Sequence, residues 1–570
     1  MHPKLSPYGL GSFIKLRSRD YVYVDKTQYI QVLEDEGPRA ALLVRPRRFG
    51  KTLFANTLAA YYDRAAQPDF ERQFAGTWIR DHLTPLAGRF RVLKFDFSGI
   101  DMENGLLGDF MSNIKAALLV FCRRHLPGDP IAKRIWEASD VSPARLFSDF
   151  LDAAAGGDPI FLIIDEYDFY AGDVLSADSA SFRDMAGGGF LKDFYDVVQS
   201  RGDVIARIFM TGVTAFAFEG AVTGFDGVVN VTNDPKFAGI AGFAPDELRA
   251  LIPQLLGEQS GLSVDAVFRR MLSIYEGYRF SPDSDVTVLN SSMCLHYLQD
   301  LADTGVETRI LMDPAFSIGL SRFEQILSLG TKSFAEKLVR DVVLDVDIAC
   351  ANPYGAVDVG ADSWTDDSWR DEDVLRAMTF LGLLTISKTP GRLACPNPVV
   401  KSLFFQFWFR RFGKRNDLSF PIMPLQEAVA SLEAGDAKPL LDFVSDRLQK
   451  CVGGHVHAHL NETAIQLAVC MAMNTVPGYS VMVEEEALGE GFTDLVLRPS
   501  ASRPGAPHWL MEFKYIKKGA FTQAAAAAKL SEAKAQLERY SASDNMADLP
   551  DLRRAAVLFC GTELVALEVF

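Results

Sequence analysis

The chain has 570 residues and a formal charge of −16, room for several domains at roughly 150 residues each and too much for one small fold. With 48% hydrophobic, 11% aromatic and 23% charged residues it has the composition of a chain that buries large cores, which excludes a mostly disordered protein. The acidic balance excludes a body coated in basic surface for non-specific nucleic-acid binding, while leaving room for local basic sites.

No stretch approaches the roughly 18 uninterrupted apolar residues of a membrane span, and the N-terminus lacks the charged-then-apolar pattern of a signal peptide. The expectation is a cytoplasmic protein with no membrane partner. Seven cysteines, widely scattered and never in a C-x-x-C pair, read as reduced core thiols and not as disulfides or zinc ligands.

In chain order, residues 39–44 form a short apolar run that predicts a buried strand, followed by Arg45-Pro46-Arg47-Arg48-Phe49-Gly50-Lys51-Thr52 and a helical pattern. Further strands are predicted at 90–98, 159–168 and 204–213, with helical stretches such as 107–126 and 188–201 between them. Strands alternating with helices indicate a parallel α/β sheet. From about residue 243 the pattern turns helical. Residues 300–415 are mixed, with a small hairpin expected around 383–400. The last 110 residues read as α-β-β-β-α-β-β, from a helix at 461–474 to a final strand ending at 570.

The turn at 45–52 occupies the frame G-x-x-x-x-G-K-[ST] with arginine in place of the first glycine. Gly50 lets the backbone approach a phosphate, Lys51 reaches phosphate oxygens, and Thr52 offers a hydroxyl to Mg²⁺, all at a helix N-terminus that favours anions. The apolar strand Phe161-Leu162-Ile163-Ile164 ends in Asp165-Glu166. There Asp165 would serve the Mg²⁺ shell and Glu166 would orient the attacking water, because phosphoryl transfer needs a positioned nucleophile and charge neutralisation. Thr211, ending the next strand, is a candidate sensor of phosphate or water. Arg279 is a candidate charge stabiliser, and Arg47, Arg48 and Phe49 complete the loop.

At the C-terminal end, Glu512 and Lys514 alternate on one strand and point the same way; with Asp494 on a preceding strand they would form the acid-acid-lysine set of metal-assisted phosphodiester hydrolysis. An exposed ion pair is the plainer reading of these three residues alone. Between Arg498 and Arg539 eight basic residues face three acids, a local excess consistent with a nucleic-acid site. Glu484, Glu485 and Glu486 read mainly as a solvated strand end. His455, His457 and His459 sit beside Gly453-Gly454 and read as a loop and not as a metal site.

The motifs Tyr23-Val24-Asp25-Lys26-Thr27, 45–52, Ile164-Asp165-Glu166-Tyr167-Asp168, Thr211-Gly212-Val213-Thr214 and Tyr275-Glu276-Gly277-Tyr278-Arg279-Phe280 resemble, in order, the predicted AAA-ATPase-like family of bacteria. That family's loop carries arginine at the first glycine position. The resemblance implies ATP and Mg²⁺ as cofactors and places Asp25 and Lys26 near the nucleotide base. Asn290-Ser291-Ser292-Met293 departs from the family's asparagine-proline-x-serine segment. Leu381 to Thr385 and Pro396-Asn397-Pro398 resemble the family's small winged-helix-like middle domain.

The C-terminal order, Glu462 on its first helix and Gln536-Leu537-Glu538-Arg539-Tyr540 after the E-x-K strand together resemble the PD-(D/E)XK nuclease superfamily. This implies Asp494, Glu512 and Glu462 as metal-site acids (Mg²⁺ or Mn²⁺) and Lys514 as the catalytic lysine. Gln536 and Tyr540 would support the site or touch nucleic acid, with Lys517 and Lys518 as further nucleic-acid contacts. The arginine that often precedes the aspartate is replaced by Phe492-Thr493.

The expected fold class is therefore α/β: a P-loop NTPase sheet over 1–242, a helical lid over 243–300, a winged-helix-like middle region with a connection over 301–440, and a restriction-endonuclease-like domain over 441–570. The expected activity is an ATPase that gates or loads a nuclease acting on DNA in preference to RNA, with a homo-oligomer open. The alternatives are a nucleotide-gated switch that binds nucleic acid or a partner without cleavage, and an ATPase whose nuclease fold serves assembly.

Overall fold

The computed structural model describes residues 4–100, 105–168, 189–214, 216–217, 227–257, 263–305, 311–313, 319–343, 346–353, 355, 357–358, 370–412, 422–451, 462–475, 479–482, 495–499, 503, 505–541 and 549–570. Two compact units emerge. One comprises Met1–Ala335 and Asp347–Asn397, the other Glu336–Val346 and Pro398–Phe570. The expected middle region, 301–440, is divided between them.

In the first unit, β1 (Ala40–Val44) leads into α1 (Lys51–Tyr62); β2 (Arg91–Asp96), β3 (Ile160–Asp165), β4 (Ile205–Gly212) and β5 (Val228–Asn230) follow. They form one sheet in the order β2-β3-β4-β1-β5, and every pairing is parallel. Residues of β1 and β3 are buried throughout, as a parallel sheet covered on both faces requires. The chain leaves β1 for a strand three places to one side, and β5 adds on the other. The carboxyl end of β1 is thus a topological switch point, where a crevice opens at the sheet edge. β4 lies between β1 and β3, so Leu43 stands opposite Thr211 and Ile164 opposite Met210.

The helical stretch comprises α2 (Pro245–Leu256), α3 (Val264–Tyr275) and α4 (Ser291–Thr304). Helix α2 starts with Glu247 accepting the Ala244 N–H at 2.8 Å, and α4 is capped by Asn290, whose side chain accepts from the Ser292 and Met293 N–H groups. A short antiparallel pair, β6 (Tyr278–Arg279) and β7 (Thr287–Val288), sits between α3 and α4. Farther on, β8 (Ile348–Ala349), β9 (Thr385–Ile386) and β10 (Arg392–Ala394) make a three-stranded sheet in which β9 and β10 are the hairpin expected from the sequence. Gly277 has φ +134, and a Cβ there would lie 1.9 Å from the Pro396 carbonyl oxygen. No other residue fits beneath that segment.

The second unit runs α5 (Ile422–Glu433), α6 (Lys438–Cys451), α7 (Glu462–Thr475), β11 (Tyr479–Met482), β12 (Leu495–Pro499), β13 (His508–Ile516), α8 (Gln523–Ser541), β14 (Leu552–Cys560) and β15 (Glu563–Val569). From α7 onward this is the α-β-β-β-α-β-β order. The sheet follows chain order, antiparallel except for β13 and β14, which run parallel with α8 as their crossover. Helix α8 buries Ala533, Leu537 and Tyr540 against Val496, Leu510 and Ala556. Helices α5 and α6 belong to this unit as well: the indole of Trp509, fully buried, donates to the Leu432 carbonyl at 3.2 Å, and the Ser445 hydroxyl donates to the Thr562 carbonyl at 2.8 Å. The expected boundary at 441 therefore falls inside α6. Among the described residues no helix is long and apolar enough to cross a membrane.

Candidate functional site

Gly50 opens α1 with φ +93, a left-handed turn that glycine adopts without strain, and Arg48 takes φ +69. The loop folds over Lys51, whose Nζ donates to the carbonyls of Arg45 (2.8 Å) and Pro46 (3.0 Å). Burial pushes the Lys51 ammonium down to about 8, with Glu166, Asp168 and Asp165 opposing the shift.

Beside it, Asp165 is 1% exposed at the end of β3. Its Oδ1 accepts from the Thr211 hydroxyl at 2.5 Å and lies 3.4 Å from Thr52 Oγ1; its Oδ2 accepts from Lys94 Nζ at 3.0 Å. Two hard oxygens, Thr52 Oγ1 and Asp165 Oδ1, thus converge at the helix start, a donor set that fits Mg²⁺. Glu166 has φ +54 and is held there by two contacts: its N–H approaches Thr211 Oγ1 at 3.3 Å, and the Tyr167 N–H donates to the Thr211 carbonyl at 2.9 Å. Burial raises the Glu166 carboxyl above its usual range, opposed by Lys51 and Arg47.

Lys51, Thr52 and Glu166 border a cavity of about 580 Å³, whose lining also includes Arg47, Arg48, Phe49 and Gly50 on the loop side and Leu10, Val22 and Phe243 on an apolar side; Asp165 is not itself among the lining residues. Its size and mixed lining suit a nucleotide-sized ligand. Lys26 also borders the cavity, but its Nζ is engaged with Glu247 Oε2 (2.6 Å) and the Gly239 carbonyl (2.8 Å), and burial lowers its pKa. Asp25 accepts from the Thr27 and Trp78 N–H groups. Lys26 thus braces the cavity wall, whereas Asp25 is not among the lining residues. Thr211 and Arg279 are not among the cavity-lining residues. Thr211 acts on Asp165 instead of on the open space. Arg279 faces Asp285 at 3.5 Å, and its backbone N–H and C=O both bond the Thr385 hydroxyl.

Several residues with structural command of the loop escape sequence reasoning. Arg45 is 1% exposed; its guanidinium donates to the carbonyls of Val44, Thr232 and Phe237 and stacks 4.1 Å from the Phe280 ring centroid. It therefore bolts β1 to two distant segments, which is the physical reason an arginine stands where the motif frame has glycine. Asn290 Nδ2 donates to the Arg47 carbonyl at 3.3 Å and Ser291 Oγ to the Arg48 carbonyl at 3.0 Å, so the segment that departs from the family pattern fastens the phosphate loop. Asp168 accepts from the Val213 and Thr214 N–H groups and the Thr214 hydroxyl, tying the loops after β3 and β4 together.

In the second unit, Glu512 and Lys514 are 1% and 4% exposed, and Lys514 Nζ lies 2.7 Å from Glu512 Oε1, 3.6 Å from Glu462 and 4.0 Å from Glu532. An exposed ion pair is thereby excluded for these two residues. Asp494, Glu484 to Glu486 and His455, His457 and His459 lie outside the described residues. Among the described residues no three acids, histidines or cysteines form a metal cage, but the carboxylates of Glu462 and Glu512 converge on one ammonium, and hard oxygens of this kind suit Mg²⁺ or Mn²⁺. Gln536 has a buried side-chain oxygen without a hydrogen-bond partner among the described residues, whereas Tyr540 is packed into the α8 core.

The local excess of positive charge is largely neutralised in space. Lys518 pairs with Glu563, Lys529 with Glu532, Lys534 with Glu568 and Arg503 with Glu433. Three of those acids lie outside the 498–539 window that was counted. Lys517 and Arg539 have no acidic partner among the described residues.

A parallel sheet with a glycine-lysine-threonine loop and an acidic strand end defines the first unit as a P-loop ATPase fold, and the second is a nuclease-type α/β sheet. Residues 7–222 match the family described as predicted AAA-ATPase and residues 460–569 match the PD-(D/E)XK nuclease superfamily, so the chain carries one domain of each. An uncharacterized protein in the vnfD 5′ region of Azotobacter chroococcum mcd 1 is 26% identical over 291 residues, 50% of each chain. The chain thus spans about half the length of that curated relative. A Walker-type ATPase of Pyrococcus abyssi aligns over 66% of this chain and 94% of its own with a TM-score of 0.36 and 9% identity, too loose a likeness to bear on the chemistry.

Proposed function

We propose that the first unit binds and hydrolyses ATP with Mg²⁺ and that its nucleotide cycle gates or loads a metal-dependent nuclease in the second, with DNA the expected substrate. The observation that carries this reading is the convergence of Lys51, Thr52, Asp165 and Glu166 from two separate strand ends beside one cavity.

On binding, the phosphates replace the Arg45 and Pro46 carbonyls as partners of Lys51, and the N–H groups at the start of α1 take phosphate oxygens. Thr52 and Asp165 would hold Mg²⁺, which when bound offsets phosphate charge. Glu166, whose raised pKa makes it a stronger base, orients the attacking water and accepts its proton. Thr211 fixes both acids from β4, the strand between them and the loop. In the second unit, Glu512, Glu462 and the expected Asp494 would hold the divalent ion, and Lys514 offsets charge building on the scissile phosphate.

A panel of single- and double-stranded DNA and RNA incubated with Mg²⁺ or Mn²⁺ tests the nuclease half. Degradation by the wild type and its loss in Lys514→Met are expected. Binding of nucleic acid without metal-dependent turnover would replace this reading with that of a nucleotide-gated binding switch.

A further inference from the structure

We propose that Lys94 is the resident counter-cation of Asp165: it fixes the orientation of that carboxylate and keeps a divalent cation out of the site until a nucleotide supplies the opposing charge. The proposal rests on the nucleotide-binding reading above and adds a residue that no motif contains.

Lys94 lies on β2, beside β3, with its side chain 20% exposed. Its Nζ is 3.0 Å from Asp165 Oδ2, 2.9 Å from Asn56 Oδ1 and 3.6 Å from Asp96 Oδ2. The two oxygens of Asp165 are therefore divided. Oδ1 takes the Thr211 hydroxyl and faces Thr52, while Oδ2 takes the ammonium. A carboxylate gripped on both oxygens cannot turn, so Oδ1 stays beside the Thr52 hydroxyl, where a metal ligand is needed. Asn56 is itself placed: it lies one helical turn after Thr52 on the same face of α1, and its Nδ2 donates to the Gly11 carbonyl at 2.8 Å. The chain of contacts thus runs from the cavity-lining Gly11 through Asn56 and Lys94 to Asp165.

The charge balance follows from the same distances. A divalent ion between Thr52 and Asp165 would sit a few ångströms from the Lys94 ammonium and near Lys51, and the buried carboxylate between them is already paired. In so poorly solvated a site the repulsion is screened far less than in water. Nucleotide phosphates add negative charge beside both ammonium groups and weaken that repulsion, and the metal then enters with the nucleotide.

Manganese alone, followed by electron paramagnetic resonance on nucleotide-free full-length protein, tests this without relying on turnover. Lys94→Met should bind Mn²⁺ about tenfold tighter than the wild type, the direction Coulomb repulsion dictates. The gain should vanish in Lys94→Met/Asp165→Ala, and Lys94→Arg should stay close to the wild type. With saturating metal and ATP, Lys94→Met should nonetheless turn over at least about tenfold more slowly, because the carboxylate has lost its orientation. A purely structural lysine would lower metal affinity and turnover together. Mn²⁺ binding by Lys94→Met that is equal to or weaker than wild type, or a gain that survives removal of Asp165, overturns the proposal; Lys94→Gln, which keeps a donor for Asn56, serves if the methionine variant misfolds. Failure of the wild type to bind a fluorescent ATP analogue would instead overturn the nucleotide-binding reading, and the Mn²⁺ comparison would remain readable.

Discussion

Replacing Arg45 with glycine would restore the residue that the phosphate-loop frame prescribes, yet the structure predicts damage. The guanidinium is 1% exposed, donates to three backbone carbonyls and stacks on Phe280. Each hydrogen bond from a charged donor contributes about 1.5–3 kcal/mol, and a desolvated cation–π contact about 2 kcal/mol. These terms share one side chain and do not add, and removing the arginine also removes the cost of burying its charge. A net loss of about 4 kcal/mol is the working figure, in line with breaking a buried charged network. Glycine at this position adds the entropy of a looser unfolded chain. Scanning calorimetry of the full chain should show one transition falling by roughly 5–10 °C while the other stays in place, given the usual scaling of melting temperature with domain size. Arg45→Lys, which keeps the charge but not the fork, should lose roughly half as much. An Arg45→Gly protein within about 1 kcal/mol of the wild type would refute the argument that this arginine bolts the loop.

Two further outcomes follow from the geometry. Burial depresses Lys51 to about 8, so between that pH and the ordinary lysine value of 10.5 the unfolded chain holds a proton that the folded protein has released. Unfolding takes up that proton, and the Lys51 contribution to stability of the nucleotide-free protein rises with pH across this window. Nucleotide affinity should fall over the same range as the lysine loses its charge, and titration of a fluorescent ATP analogue from pH 7 to 9.5 should show the fall in wild type but not in Lys51→Met. A fragment of residues 460–570 should be poorly folded, because it lacks α5 and α6, exposes the Trp509 indole and loses on the order of 4 kcal/mol of buried aromatic surface. A fragment starting at 398 should unfold cooperatively in urea; equal behaviour of the two fragments would contradict the assignment of those helices to the second unit.

The parts legible in the sequence were those written in local pattern. The apolar runs ahead of Gly50 and Asp165, and the alternation of the last 110 residues, specify their strands without help from distant residues, and the loop and E-x-K motifs lie on them. What stayed hidden depends on partners far along the chain. Arg45 looks like a basic loop residue until Thr232, Phe237 and Phe280 fold around it. Lys94 is one polar position in an alternating strand, and only the parallel pairing of β2 with β3 brings it to Asp165. The acidic partners of the basic residues between 498 and 539 were hidden for a similar reason, since Glu433, Glu563 and Glu568 reach them from elsewhere in the chain. The hairpin at β9 and β10 was readable from its two short strand-like segments, whereas the extent of the second unit depends on how α5 and α6 pack, which periodicity cannot specify.

Control of cutting by nucleotide turnover is read most plainly from the rate of DNA degradation with and without ATP, in wild type, Lys51→Ala and Glu512→Ala proteins. Coupling of the two activities gives ATP-dependent degradation in the wild type, lost in both variants, with ATP turnover retained in Glu512→Ala. Undiminished degradation by Lys51→Ala would disconnect the ATPase from the nuclease and contradict it.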